Sequence, residues 1–123
     1  MPIEKAKKHY LGKDGHEKMN CAQAIIKAFQ GKYNLNEDEI NKYLAHGGGR
    51  APGGLCGAIY ATRELIKKHH LDKLEEFDIF IVALAGSDKC ADIRKLKKMS
   101  CLGCIEKSAE FLSKCLKEEK FNE

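Results

Sequence analysis

The sequence predicts an all-α fold: a compact single-domain bundle of six or seven short helices, with a glycine-rich loop before the central helix. Three observations carry this. Apolar residues recur at helical spacing in most segments, as in Cys21, Ala24, Ile25, Ala28 and Phe29, which form one stripe. Helix-start residues precede these segments and glycines follow them. No run of alternating residues has a partner run with which to pair as strands. At 123 residues the chain allows one domain, spanning residues 1–123, and that length buries a core without staples.

In chain order, Ile3 to Leu11 reads as a short polar helix, closed by Gly12 and the Asp14-Gly15 turn signal. Asn20 to Phe29 is the first strongly apolar helix, and Gly31 suits its end. Asn36 caps a helix whose first turn holds Glu37, Asp38 and Glu39, running to about Ala45. His46 to Gly54 contains five glycines and one proline in nine residues, which leaves a tight loop. Leu55 to His69 is the central helix. Leu74 to Ala85 includes a strand-like stretch, but its length favours a fully buried helix. Cys90 to Lys97 follows, capped by Asp88 or Ser87. Ser100 caps the last helix, Cys101 to Lys117.

Composition excludes several function classes. With 22 Lys and Arg against 18 Asp and Glu, the net charge of +4 is small and scattered. The basic block Arg94, Lys95, Lys97 and Lys98 is short and has no aromatic platform beside it, so nucleic-acid binding is not expected. The longest apolar run, Ile79 to Ala85, has seven residues, against the ~20 that span a bilayer. MPIEKAKKHY at the start holds no apolar signal core. Membrane insertion is therefore not expected, and a cytoplasmic setting is. In a reducing compartment, cysteines serve as metal ligands, catalytic thiols or redox sensors more often than as static disulfides.

Six cysteines therefore need a reading: Cys21, Cys56, Cys90, Cys101, Cys104 and Cys115. The sequence places Cys21, Cys56, Cys90 and Cys101 in first helical turns, and Cys104 one turn further on. Unpaired N–H groups there favour an anion, so these thiols are expected to have lowered pKa values. Cys101-Leu102-Gly103-Cys104 is a CxxC pair, suited to a dithiol couple or to chelating one metal ion. A thioredoxin-like βαβ context, the histidine of a c-type haem site and the second CxxC of a zinc ribbon are all missing. Packing alone accounts for a single buried cysteine, but poorly for the whole set. Cys115 lies about three turns beyond Cys104, too far to share its site, and reads as structural.

The glycine loop lacks a P-loop GK[ST] ending. Its favoured role is steric, letting the backbone approach a sulfur closely, with phosphate cradling as the alternative. His46 beside the loop is the one histidine in reach as a ligand or proton donor. His9, His16, His69 and His70 read as helix-end or surface residues, and Tyr60 reads as core.

Asn20-Cys21-Ala22-Gln23-Ala24, the glycine-rich loop, Cys56-Gly57-Ala58-Ile59-Tyr60-Ala61, Cys90 and Cys101-x-x-Cys104 together resemble the redox-active C_GCAxxG_C_C family. The resemblance covers residues 3 to 116. Cys21, Cys56, Cys90 and Cys104 match its four cysteine positions, and Cys101 adds the extra thiol of the CxxC. The chain reads Cys56-Gly57-Ala58 where the family name writes Gly-Cys-Ala, and Ala61 where the motif ends in Gly. The resemblance implies an all-helical redox protein, possessing in haem-fused relatives a 2Fe–2S cluster. Its ligands here would be Cys21, Cys56, Cys90 and Cys104, with Cys101 able to substitute. It also implies an electron-transfer role beside a redox partner protein, and a homodimer. Three alternatives stay open: a metal-free thiol–disulfide protein or sensor using Cys101 and Cys104 or a pair across helices, a zinc site, and a binding module whose cysteines only pack.

Overall fold

A computed structural model describes residues 2–47 and 49–121, with side chains to residue 118. The described residues form eight α-helices: α1 (Pro2–Leu11), α2 (Cys21–Ala28), α3 (Gln30–Tyr33), α4 (Glu37–Lys42), α5 (Gly57–His69), α6 (Leu74–Ala85), α7 (Cys90–Leu96) and α8 (Cys101–Phe121). Short 3-10 turns span Tyr43–His46, Pro52–Gly54 and Leu71–Lys73. Among these residues the one β feature is an isolated bridge between Leu55 and Lys89. The all-α expectation is met. No described helix is long and apolar enough to cross a membrane.

Helix α2 sits at the centre, against α1, α5 and α8. Its apolar stripe explains the position: seven of its eight residues are buried. Phe29 and Ile25, both fully buried, contribute roughly 2–3 kcal/mol each through apolar burial. Asn20 starts α2 by accepting a hydrogen bond from the Gln23 amide at 2.8 Å, which satisfies one of the unpaired donors of the first turn. Asn36 does the same for α4, through the Glu39 amide at 2.9 Å. Ser100 starts α8, its Oγ accepting from the Gly103 amide at 2.9 Å.

Three expectations need correction. The chain does not leave helix at Gly31: after a kink at Phe29 it makes one more turn, α3, and ends at Asn34, whose φ of 56° terminates it. Neither Asp88 nor Ser87 is the N-cap of α7; that position is Lys89, without a side-chain cap. Ser87 instead accepts from the Lys89 amide and donates to Asp92. Nor is α6 fully buried. Phe77, Ile81 and Ala85 face the core, while Ile79 is 65%, Val82 39% and Leu84 38% exposed. The cause is position: α6 packs on one side only, against α5 and α8, with Phe77 set edge-on to Phe111 at 5.1 Å.

Tyr43, Tyr60 and His46 form an aromatic cluster with ring centroids 5.0–5.9 Å apart. Burial, reinforced by the Glu64 carboxylate, pushes the Tyr43 phenol up to about 12. The unfolded phenol loses its proton near 10, so between pH 10 and 12 the unfolded chain binds fewer protons than the folded one. This contribution is fully present below pH 10 and is lost as pH rises to 12, amounting to about 2–3 kcal/mol. Urea midpoints measured from pH 9 to 12 should fall more steeply for the parent than for Tyr43→Phe.

Candidate functional site: a convergence of cysteines

Five of the six cysteines meet at one end of the bundle. Cys21, Cys90 and Cys101 are the first residues of α2, α7 and α8. Cys104 lies one turn into α8. Cys56 is the residue before α5 rather than inside its first turn, in extended conformation as its N-cap. The chain brings these starts together by defined contacts. The Cys56 amide donates to the Asp88 carbonyl at 2.9 Å, and the Leu55–Lys89 bridge lies beside it. This fixes the start of α5 next to that of α7. Asn20 Nδ2 donates to the Leu44 carbonyl at 2.8 Å, tying the start of α2 to the segment before the glycine loop.

The glycines act sterically. A Cβ on Gly57 would stand 2.5 Å from Cys21 Sγ and 2.7 Å from the His46 carbonyl oxygen. One on Gly47 would meet Asn20 Cβ at 2.7 Å, and one on Gly49 would meet Cys90 Cβ at 3.1 Å and Sγ at 3.5 Å. The loop backbone thus rests directly on two cysteine-bearing helix starts, which side chains larger than hydrogen would prevent. His46 approaches this region with its backbone carbonyl; its ring packs on Tyr43 and Tyr60.

All six cysteines are thiols, and all but Cys101 are buried. Cys56 is the hub. It receives a hydrogen bond from Cys21 and donates one to Cys104. The donation to Cys104 is the main cause that pushes the Cys56 thiol up to about 12. The same bond pulls the Cys104 thiol below its ordinary value, against the opposing effect of burial. Desolvation raises Cys90, with Arg94 pulling the other way. The expectation that these thiols are uniformly lowered at helix starts is therefore corrected. For Cys56, Cys90 and Cys104, burial and the hydrogen bond between neighbours decide the direction. The outcome is an asymmetric pair: the bond they share lowers the Cys104 thiol and raises the Cys56 thiol.

Beside the pair lies a cavity of about 330 Å³ lined by Cys56, Cys90, Cys101 and Cys104 together with Arg94 and Lys97. Cys21 stands behind Cys56 and is not in its wall, so three of the four family-matched cysteines line it and Cys101 supplies the fourth sulfur. Two contributors were not singled out from sequence. Arg94 and Tyr10 both hydrogen-bond Cys101. Arg94 was legible in principle, one helical turn after Cys90 on α7. Tyr10 was not, since only tertiary packing brings α1 to α8. Cys115 is buried in the core, away from the cavity wall.

Four thiols around one cavity, with cations at its side, form a donor set chemically suited to an iron–sulfur cluster, whose usual ligands are thiolates. Among the described residues, no three His, Cys, Asp or Glu side chains are grouped so as to hold a metal ion. That finding bears on zinc and on the irons of a cluster alike. Comparison of the chain with protein-family models, with curated proteins and with solved structures finds no match.

Proposed function

We propose that the protein is a redox protein working through its cysteine cluster, and that the working couple is the thiol pair Cys56 and Cys104. The observation that carries this reading is that the two side chains share a hydrogen bond at the wall of one cavity, a bond that raises the Cys56 thiol and lowers the Cys104 thiol. Disulfide formation needs this asymmetry, because a thiolate attacks and a neutral thiol does not. On oxidation the two sulfurs join, two electrons pass to an external acceptor, and the proton held by Cys56 is released. The acceptor is a disulfide, whose own bond breaks to take the electrons. The couple lies across α5 and α8 rather than within the CxxC, and Cys101 stands one turn from it. Mild oxidation with diamide should lower the count of reactive thiols in the unfolded, quenched chain from six to four. A count that stays at six would overturn the reading.

The thiol-lined cavity favours one second reading, an electron-transfer protein with a 2Fe–2S cluster, in keeping with the family resemblance. Cys56, Cys90, Cys101 and Cys104 are the residues that would hold it. Bound there, the cluster would supply one-electron transfer, and Arg94 and Lys97 would offset its negative charge. Protein purified without oxygen would then be brown, with two irons and two labile sulfides per chain. Colourless, iron-free protein that also resists reconstitution leaves the dithiol reading alone. A cytoplasmic setting, drawn from the sequence, a protein redox partner of unassigned identity, and a homodimer, implied by the resemblance, belong to the same proposal.

A further inference from the structure

The buried couple poses a question of access. Cys104 is wholly buried and Cys56 is 5% exposed, so the cavity is the route by which an external oxidant reaches them. Cys101 is the half-exposed sulfur in the cavity wall, with Tyr10 and Arg94 donating hydrogen bonds to it. Donors of this kind support the negative charge that builds on sulfur during thiol exchange. Of the nine residues lining the cavity, Arg94 and Lys97 are cationic and none is acidic. Its volume of about 330 Å³ is at the small end of the range for small-molecule sites.

From these features we infer that Cys101 is the attacking thiol for a small disulfide bearing negative charge, drawn into the cavity by Arg94 and Lys97. This rests on the dithiol reading and adds its substrate class and the order of its sulfurs. The Cys101 thiolate attacks one sulfur of the ligand, the ligand's S–S bond breaks, and one half leaves as a thiolate that takes a proton from water. Cys104 then attacks the Cys101 sulfur of the mixed disulfide and expels the second half. Cys56 in turn gives its proton to the departing second half and attacks Cys104, whose bond to Cys101 breaks; the disulfide passes to Cys56–Cys104 and Cys101 leaves as the thiolate it was at the start. In total two protein thiols are oxidised and one ligand disulfide is reduced to two thiols.

The test compares oxidised glutathione, which is anionic, with cystamine, which is cationic, on the reduced full-length protein at low ionic strength. Each rate is divided by that of 2-mercaptoethanol with the same disulfide, which removes intrinsic reactivity. The normalised rate should favour oxidised glutathione by about tenfold or more, a preference that shrinks in salt and in Arg94→Gln/Lys97→Gln. In Cys104→Ser, which lacks the resolving thiol, the glutathione adduct should map by mass spectrometry to Cys101. Equal normalised rates, a preference for cystamine, or an adduct on another cysteine overturns the inference. The unmutated protein supplies the charge preference even if Cys104→Ser fails to fold. Failure of the underlying reading looks different: diamide then leaves all six thiols intact, whatever the charge preference.

Discussion

Cys104→Ser is expected to remove the Cys56–Cys104 disulfide altogether and to slow the disulfide formation that remains about tenfold near pH 8. The thiol that the shared bond lowers is then absent. The remaining contact joins Cys21 and Cys56, and although loss of the bond to Cys104 removes the largest cause that raises Cys56, its burial still does. Cys115→Ser is the matched control. Cys115 is also buried on α8, yet it belongs to the core, so its replacement should leave the rate of disulfide formation unchanged. Stopped-flow thiol loss after diamide addition compares the three proteins.

The second large effect is on stability. Gly57→Ala introduces a methyl carbon 2.5 Å from Cys21 Sγ and 2.7 Å from the His46 carbonyl oxygen. Neither neighbour is the far end of a flexible chain: one is a buried sulfur on α2 and the other is backbone. Helices α2 and α5 must separate, and the expected cost is about 2–3 kcal/mol, a fall in Tm of roughly 10 °C. Gly31→Ala provides the contrast within the same chain. Gly31 lies inside α3 with nothing within 4 Å of the added carbon, so the change should stabilise by up to about 1 kcal/mol. Thermal melts followed by circular dichroism distinguish the two. If Gly57→Ala melts with the parent, the close approach of α2 and α5 is not needed for the fold.

These two cases also show how far the residues themselves disclosed the molecule. The helices around Cys21–Phe29, Leu55–His69 and Cys101–Lys117 were legible because caps and apolar spacing agree locally. The steric use of glycine was legible at the loop, since no other role suits so many glycines without a phosphate-binding signature. Helix α3 was hidden because Gly31 is a stop signal that tertiary context overrides. The open face of α6 was hidden too: Ile79, Val82 and Leu84 are as apolar as core residues, and only their place at the bundle edge exposes them. At the site, helix starts pointed to the sulfurs that meet at one end of the bundle, but the direction in which a thiol's pKa moves depends on its neighbours and its burial. Cys56 and Cys104 are far apart in sequence, so their pairing is a product of tertiary structure, as is the approach of Tyr10 to Cys101.

Whether Cys56 and Cys104 form the protein's redox couple is decided by equilibrating the protein in dithiothreitol redox buffers, trapping thiols with acid and alkylating agent, and mapping the disulfide by mass spectrometry. A single two-electron transition is expected, whose oxidised form carries one disulfide, between Cys56 and Cys104. A chain that keeps all its thiols across the whole range of potentials, or whose disulfide at equilibrium is any other than Cys56–Cys104, would contradict this.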